Sequence, residues 1–302
     1  MNFEITKAAT YKGHKDSVYA LAEGITEGKL LSAAGDGYLV EWNSPEEGIP
    51  VARVSHPIYA FEHRKEHQQV WLGENSEGIH LINTTQKKAE VFLKLGKVSV
   101  FSIVSAGNKT LVGSSRGYIH VIDNQTNSFI KHLPVTDKSI RAIAVNEGSG
   151  EIAAGASDHC IHIYDLDTLE LKTTIAAHTN SVFTLAWHEH YLLSSGRDAH
   201  INIWDSSLAW LPVASVPAHN YAINHILPLK GTPFLASCSM DKSIKIWDID
   251  NLRLLKVIDK GKYASHGTSV NRLWWNERSQ SLFSASDDRT ISEWKLRVGP
   301  PE

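Results

Sequence analysis

Two stretches of the chain, HINIWD at residues 200–205 and SIKIWD at residues 243–248, decide the fold, because similar stretches recur along the whole sequence. Each is a short run of β-branched or aliphatic residues that ends on a large apolar side chain. These final residues are, in order, Trp42, Ile82, Ile122, Tyr164, Trp204, Trp247 and Trp294, at steps of 40 to 47 residues. Periods of this length are typical of proteins built from stacked repeats. Seven copies account for nearly the whole chain, and no linker or low-complexity stretch interrupts them.

Each copy is predicted to form strands. Apolar residues alternate, as at Ile201 and Ile203 or at Ile244 and Ile246, and clusters of Gly, Asp, Asn and Ser separate the runs. Four short strands in about 40 residues make one blade of a β-propeller. The sequence therefore predicts an all-β fold, a seven-bladed β-propeller of four-stranded antiparallel blades. We expect one domain over residues 1–302, with repeats that end near residues 43, 83, 123, 165, 205, 248 and 295.

The composition narrows the classes of protein to consider. The 302 residues are 42% hydrophobic and 21% charged, which suits a globular core and argues against global disorder. A net charge of -3 disfavours nucleic acid as a partner. No apolar run has transmembrane length, and the first residues lack the pattern of a signal peptide, so we expect no membrane association. Two cysteines, Cys160 and Cys238, form no disulfide framework, and a cytoplasmic location fits them best.

Four copies share a set of polar residues in fixed register. An Asp lies six residues before the final Trp, a Ser ten residues before it, and a His earlier in the copy. The sets are His14, Ser32, Asp36 and Trp42; His178, Ser194, Asp198 and Trp204; His219, Ser237, Asp241 and Trp247; and His266, Ser284, Asp288 and Trp294. In this register the chain resembles the WD-repeat family. The resemblance implies a hydrogen-bonded chain from Trp to Ser to His to Asp in each of these blades, so these residues are expected to be structural.

Copies two to four depart from the signature. Ile82 and Ile122 replace the Trp of copies two and three, and copy four has Ala154 in place of the Ser and no matching His. We therefore expect blades 2 to 4 to lack the polar chain, to depend on apolar packing, and to be the least protected in native-state hydrogen exchange. The segment from Phe3 to Thr10 precedes the first repeat and is expected to close the ring as the fourth strand of the last blade.

Several catalytic or metal-binding strings carry little weight in this context. Residues 113–117 (GSSRG) match the string of a nucleophile elbow, but they fall in a turn between two strands. His63 and His67, like His188 and His190, are expected in solvated strand-to-strand loops with no third metal ligand nearby. Residues 158–162 (DHCIH) alternate between the two sides of a strand. No catalytic residue, cofactor or metal ligand is predicted.

A protein partner is expected on the propeller face that carries the His and Asp turns, which the resemblance to WD-repeat proteins implies is commonly used. The fifth residue after each repeat's His should lie at the rim of the central channel, and the residue before the Asp should lie close by. The candidates are Tyr19, Tyr59, Phe101, Arg141, Phe183, Asn224 and Asn271, with Arg197 and Met240 beside them. Aromatic residues and Arg are frequent binding anchors. Packing of the same rings against neighbouring blades is an equal alternative for each ring.

The function predicted from the sequence is therefore a non-catalytic scaffold or adaptor in a cytoplasmic complex. The alternatives are a propeller enzyme with its site at the channel mouth, or an RNA-contacting subunit of a ribonucleoprotein. A pair of carboxylates with perturbed pKa in the channel would favour the enzyme, and a joined basic patch of Arg64, Lys65 and Lys260 would favour RNA. The insertion at residues 259–267 (DKGKYASHG) is expected to be exposed on the same face, with Lys260, Lys262 and Tyr263 in solvent.

Overall fold

The computed structural model describes residues 3–298 and contains seven sheets, each of four antiparallel strands. The first three blades are built from consecutive strands, numbered from the channel outward. Blade 1 comprises β2 (Val18–Glu23), β3 (Leu30–Ala34), β4 (Tyr38–Ser44) and β5 (Glu47–Arg53). Blade 2 comprises β6 (Ile58–Arg64), β7 (Gln69–Glu74), β8 (Gly78–Asn83) and β9 (Lys88–Lys94). Blade 3 comprises β10 (Val100–Ala106), β11 (Lys109–Ser114), β12 (Tyr118–Asp123) and β13 (Ser128–Pro134).

Blades 4 to 6 repeat this order. Blade 4 comprises β14 (Ile140–Asn146), β15 (Glu151–Ala156), β16 (Cys160–Asp165) and β17 (Leu171–Ala176). Blade 5 comprises β18 (Val182–His188), β19 (Tyr191–Gly196), β20 (His200–Asp205) and β21 (Leu211–Pro217). Blade 6 comprises β22 (Ile223–Leu229), β23 (Phe234–Ser239), β24 (Ile244–Asp248) and β25 (Leu254–Ile258). The predicted fold class is confirmed.

Blade 7 joins the two ends of the described chain. Its inner strands are β26 (Val270–Asn276), β27 (Ser281–Ser286) and β28 (Thr290–Val298), and its outer strand is β1 (Phe3–Lys12). β1 runs antiparallel to β28, from the pair Phe3 and Val298 to the pair Lys12 and Thr290. Closure of the ring by the N-terminal strand is confirmed, although the strand extends two residues beyond the predicted Thr10.

The hydrophobic core is divided among the seven interfaces between neighbouring blades. Each interface has its own cluster of buried side chains from the facing strands. Trp71 is fully buried between blades 2 and 3, and Trp294 between blades 6 and 7. Because a sheet buries both faces in this arrangement, the second strand of each blade is almost continuously buried. The alternation seen in the sequence belongs mainly to the third strands.

Helical structure is confined to short connections. Single-turn 3-10 helices span Lys65–His67 and Ser206–Leu208, and α1 spans Lys260–Tyr263. No helix among residues 3–298 is long and apolar enough to cross a membrane. Some local expectations are wrong. His63 lies in β6 and His188 in β18, and neither is in a loop. Nδ1 of His63 is 3.0 Å from the Glu23 carbonyl oxygen. Tyr263 is half-buried because its ring packs on the core between blades 6 and 7.

Candidate functional site

The signature residues lie together in blades 1, 5, 6 and 7. In blade 7, Trp294 Nε1 donates to Ser284 Oγ at 2.9 Å, and the same oxygen lies 2.9 Å from His266 Nε2. The other ring nitrogen of His266 is 2.8 Å from the Asp288 carboxylate. The equivalent Trp-to-Ser and Ser-to-His distances in blades 1, 5 and 6 are 2.7 to 2.9 Å. Each Trp, Ser and His of these four networks therefore has a hydrogen-bond partner.

These contacts hold the carboxylates in the charged form. Burial on its own would raise the pKa of Asp198, but hydrogen bonds from His178 and from the Thr179 N–H outweigh it, and the pKa falls to about 2. The same balance, with His266 and Thr290 as partners, lowers the pKa of Asp288 to about 2. Each Asp also accepts backbone N–H groups from the turn around it, so the network fixes the turns of this face.

Blades 2 to 4 contain a different polar network, and the expectation that they depend on apolar packing alone is wrong. Each has a His in the middle of its third strand. In blade 2, His80 Nε2 is 2.7 Å from Glu74, whose other oxygen accepts from the backbone N–H of Ser55 at 2.9 Å. In blade 4, His162 Nε2 is 2.9 Å from Asp158. The sequence carried a signal for this arrangement, because GIHLI, YIHVI and CIHIY share the His at one position.

Blade 3 contains a similar hydrogen-bond network without a charged group. His120 Nε2 is 3.0 Å from Ser114 Oγ, and His120 Nδ1 is 2.7 Å from the Nδ1 of His132 on the outer strand. Burial and the neighbouring His132 lower the pKa of His120 to about 4. Blade 3 is therefore anchored without a carboxylate. Gly113 and Ser114 of the GSSRG string lie in β11 and not in a turn. Ser115, at the nucleophile position of the string, accepts the Ser99 N–H at 2.9 Å.

The predicted rim residues come together around one pocket. The inner strands present them at the end where these strands begin, which we call the upper face. The pocket has a volume of about 490 Å³ and is lined by Tyr19, Tyr59, Ser99, Phe101, Arg141, Phe183, Asn224, Asn271 and Arg272. We call this set the channel mouth. Each of the seven inner strands contributes the residue that directly follows its first buried aliphatic residue. We call this residue the mouth residue of the strand.

The aromatic members of the channel mouth form a continuous arc over blades 1 to 3. The Tyr19 and Tyr59 rings meet edge to face with centroids 4.8 Å apart. The Tyr59 and Phe101 rings are parallel to within 2°, with centroids 6.0 Å apart. All three rings are half-buried. The arc therefore packs partly on itself and still presents apolar surface to the pocket.

Arg141 continues the arc into blades 4 and 5. Its guanidinium carbon lies 4.1 Å from the Phe101 centroid and 5.7 Å from the Phe183 centroid. Its Nε donates to Ser157 Oγ at 3.2 Å. Burial and the nearby charge of Arg197 lower the pKa of Arg141. Within residues 3–298 no carboxylate lies within salt-bridge distance of either arginine, so this side of the mouth carries uncompensated positive charge.

The remaining predicted residues divide into two kinds. Asn224 and Asn271 bridge blades, because Asn224 Nδ2 donates to the Val270 carbonyl at 2.9 Å and Asn271 Nδ2 to the Val18 carbonyl at 3.1 Å. Arg197 and Met240 are exposed on the upper face outside the pocket. Tyr221, which the sequence reasoning missed, is 66% exposed in the same blade as Met240. The periodicity gave no signal for it, because it lies in a turn between blades.

Below the mouth, the channel contains charged groups that the sequence did not reveal. Burial raises the pKa of Glu62 to about 7, against the lowering effects of the Ser105 N–H, Arg272 and Arg64. Glu62 is the one carboxyl group among residues 3–298 whose pKa is raised, so the paired carboxylates that would mark a propeller enzyme are not found there. Arg64 itself is buried, with only 8% of its surface exposed.

The metal and RNA alternatives gain no site in the part of the chain that is described. No group of three or more His, Cys, Asp or Glu side chains among residues 3–298 could hold a metal ion. The proposed basic patch is not formed, because Arg64 is buried and Lys65 is 2.8 Å from Glu23 Oε1. Lys260 lies before an inner strand and Lys65 after one, so the two lysines are at opposite faces. Lys260 and Lys262 of the insertion are exposed, as predicted.

The closed ring of seven four-stranded sheets and the repeated network of Trp, Ser, His and Asp define a WD-type β-propeller. A family model described as "WD domain, G-beta repeat" matches residues 5–43, 169–205, 210–248 and 259–295, about half of the chain. The chain belongs to the WD40 repeat family. The unmatched blades are mainly 2 to 4, where the alternative His network replaces the signature.

Individual proteins resemble the chain more distantly. The WD40 β-propeller domain of Doa1 superposes with a TM-score of 0.85, at 18% sequence identity and with 97% of each chain covered. The nuclear distribution protein PAC1 of Arthroderma otae is 27% identical over 54% of this chain and 37% of its own length. The 66 kDa stress protein of Physarum polycephalum is 23% identical over 97% of this chain and 48% of its own length. The chain thus spans less than half the length of these two relatives.

Proposed function

We propose that the protein is a non-catalytic scaffold or adaptor that binds a protein segment at the channel mouth. The observation that carries the proposal is the arc of Tyr19, Tyr59 and Phe101, which continues into Arg141 between two rings. Large rings bury much area at little entropic cost, and a held guanidinium offers a fork to a carboxylate. Arg141 is hydrogen-bonded to Ser157 and the rings pack on one another, so we expect little ordering free energy to be lost on binding.

The chemistry of the mouth defines the partner segment. The arc favours an apolar stretch, either extended or helical, laid over blades 1 to 3. Arg141 and Arg197, which have no carboxylate partner among the described residues, favour an acidic residue over blades 4 and 5. Asn224 and Asn271 are already hydrogen-bonded between blades, so we assign them a supporting role and place the contacts on the arc, Arg141 and Arg197.

The setting we propose is one propeller domain in a cytoplasmic complex. Cys160 and Cys238 are both free thiols, which agrees with a reducing compartment. Nucleic acid is not the proposed partner, because the lysines and arginines considered for it are separated or buried. Catalysis is not proposed either, because Glu62 has no second acidic group of raised pKa beside it in the described chain.

The test is capture of partners from native extract by the immobilised protein, read by mass spectrometry. The double variant Arg141→Glu with Phe101→Ala should lose the captured partner while its circular dichroism and melting temperature stay close to those of the wild type. The matched control is Arg53→Glu with Tyr38→Ala, because Arg53 also lies over a ring, at 5.1 Å, but on the outer strands of blade 1. Retained binding in the first variant, or loss of binding in the control, would show that the partner binds to another surface.

A further inference from the structure

One level of the central channel is formed by a single position of every inner strand. This position comes directly after the mouth residue. It is occupied by Ala20, Ala60, Ser102, Ala142, Thr184, His225 and Arg272, which we call the lumen ring. The lumen ring surrounds a cavity of about 90 Å³, several times the space that one water molecule needs. Three members are alanines, and the four polar members lie in blades 3, 5, 6 and 7.

Three of the polar members use their acceptor atoms to join neighbouring blades. Ser102 Oγ accepts the Ile143 N–H at 3.1 Å, and Thr184 Oγ1 accepts the Ile226 N–H at 3.3 Å. His225 accepts in the same way, because the Leu273 N–H is 3.3 Å from His225 Nδ1. Each acceptor is therefore occupied by the backbone of the next blade.

Each of these three side chains still has a hydrogen-bond donor available. A hydroxyl oxygen that accepts still carries its hydrogen, and a neutral His that accepts at Nδ1 carries its proton at Nε2. Burial and the charge of Arg272 lower the pKa of His225 well below its usual value, so the ring is neutral. No acceptor within residues 3–298 is hydrogen-bonded to the Ser102 hydroxyl, the Thr184 hydroxyl or His225 Nε2. Thr184 and His225 are 4% and 8% exposed.

Arg272 supplies charge to this ring of donors. Its side chain lines both the channel mouth and the cavity of the lumen ring, and it is exposed to channel water. In the described chain its guanidinium makes no hydrogen bond and no salt bridge. Glu62, the carboxyl group with which it interacts electrostatically, lies beyond salt-bridge distance and accepts the Ser105 N–H at 3.3 Å. A full cation thus faces a small cavity in which the polar side chains of Ser102, Thr184 and His225 each have a hydrogen to donate.

We propose that the lumen ring is a binding site for one small anion, held by Arg272, the Ser102 and Thr184 hydroxyls and His225 Nε2. A halide or a carboxylate fits the chemistry, because both carry a single charge and accept several hydrogen bonds. The source is either a free ion or a carboxylate side chain of the segment bound at the channel mouth. Only the second source rests on the proposed function, since a free ion would bind without any partner.

The experiment uses the full-length protein with bromide and chloride as probes. Crystals soaked in bromide should show an anomalous peak within the lumen ring, and the chloride resonance should broaden in the presence of the protein. Arg272→Met should weaken binding more than about tenfold, because it removes a charge-assisted partner. Arg272→Lys, which keeps the charge, should retain part of the broadening. Arg53→Gln removes an arginine on the outer strand of blade 1, away from the channel, and is the matched control.

Two further readings separate the outcomes. Acetate that displaces chloride from the protein shows that the site accepts a carboxylate, and acetate that fails to do so restricts the site to free halides. Above pH 7, where Glu62 is mostly ionised, Glu62→Gln should strengthen chloride binding, because it removes a negative charge that interacts with Arg272. The proposal is overturned if the folded Arg272→Met variant broadens chloride as strongly as the wild type. It is also overturned if bromide peaks lie only at surface lysines, because the bromide is then an adventitious ion only.

Discussion

The Arg141 guanidinium lies 4.1 Å from the centroid of the Phe101 ring, although the two residues come from different blades. The contact is an attraction between a cation and the negative face of a ring, which gains strength when water is partly excluded. It orients Arg141 while leaving its terminal nitrogens without a carboxylate partner among residues 3–298. A binding anchor requires a charged group that is packed at the rim of a pocket, and Arg141 is such a group.

The repulsion between Arg141 and Arg197 should lower the free energy of unfolding by a measurable amount. Arg197→Gln should stabilise the protein by about 0.2–0.5 kcal/mol at low ionic strength, and the gain should vanish in high salt because exposed charges are screened. The control is Arg253→Gln, since Arg253 Nη2 lies 3.8 Å from an Asp248 oxygen and its removal loses an attraction. Urea unfolding at two salt concentrations measures both. A destabilised Arg197→Gln variant at low salt would contradict this account.

Ser284 and Ser292 are both fully buried in blade 7, but their substitutions should differ in effect. Ser284→Ala removes the centre of the Trp294 to His266 chain and should cost about 2–4 kcal/mol, because two buried groups lose a partner. Ser292 Oγ has no hydrogen-bond partner within the described chain, so Ser292→Ala should be neutral or slightly stabilising. Denaturant unfolding gives the two values. Equal losses would show that the network contributes nothing beyond packing.

The lowered pKa of Asp198 and of Asp288 predicts how stability changes in acid. Both groups have a folded pKa of about 2, below the usual 3.8, so they stabilise the fold above the unfolded value. That stability is lost as the pH falls from about 5 towards 2. Asp288→Asn should destabilise the protein at pH 7 and flatten the dependence over this range, and the double variant with Asp198→Asn should flatten it further. Unfolding curves at several pH values test this; unchanged steepness would refute it.

Blade 3 should exchange its amide protons fastest in the native state. Its network pairs His120 with Ser114 and His132, whereas blades 2 and 4 bond their His to Glu74 and Asp158. Hydrogen bonds to an ionised carboxylate are about twice as strong as neutral ones. Exchange measured by mass spectrometry on peptides of each third strand tests the order. Protection in blade 3 equal to that in blades 5 and 6 would contradict it.

The outer strand of blade 7 should be essential for stability. Deleting residues 1–10 leaves β28 as an open edge and should lower the melting temperature by roughly 10 °C or more. A point variant sharpens the test. Ile5→Asp places a charge in the core between blades 6 and 7 and should act in the same direction, whereas Glu4→Gln on the exposed side should change little. A small shift on deletion would mean that the ring is held without β1.

The sequence predicts most of the fold and only part of the site. The 40-residue period and the register of Asp, Ser and Trp suffice for the blades and for the contacts of the signature residues, because they are repeated and local. The same register places Tyr19 and Arg141 at the channel mouth. It cannot show that Arg141 lies between two rings, or that Glu62 and Arg272 share the lumen, because those pairs come from different blades. The His of blades 2 to 4 was visible as a repeated letter, but its partners lie on other strands.

The pairing of β1 with β28 also sets the order in which the molecule can be completed. Tyr11 and Glu293, which are hydrogen-bonded across this pair, are 282 positions apart in the chain. At ribosomal speeds of about 5–20 residues per second, β1 emerges roughly 15–60 s before its partner exists. During that interval the incomplete ring carries two open edges, one on each terminal blade. The edges of the incomplete ring therefore stay open to mispairing until β28 has been made.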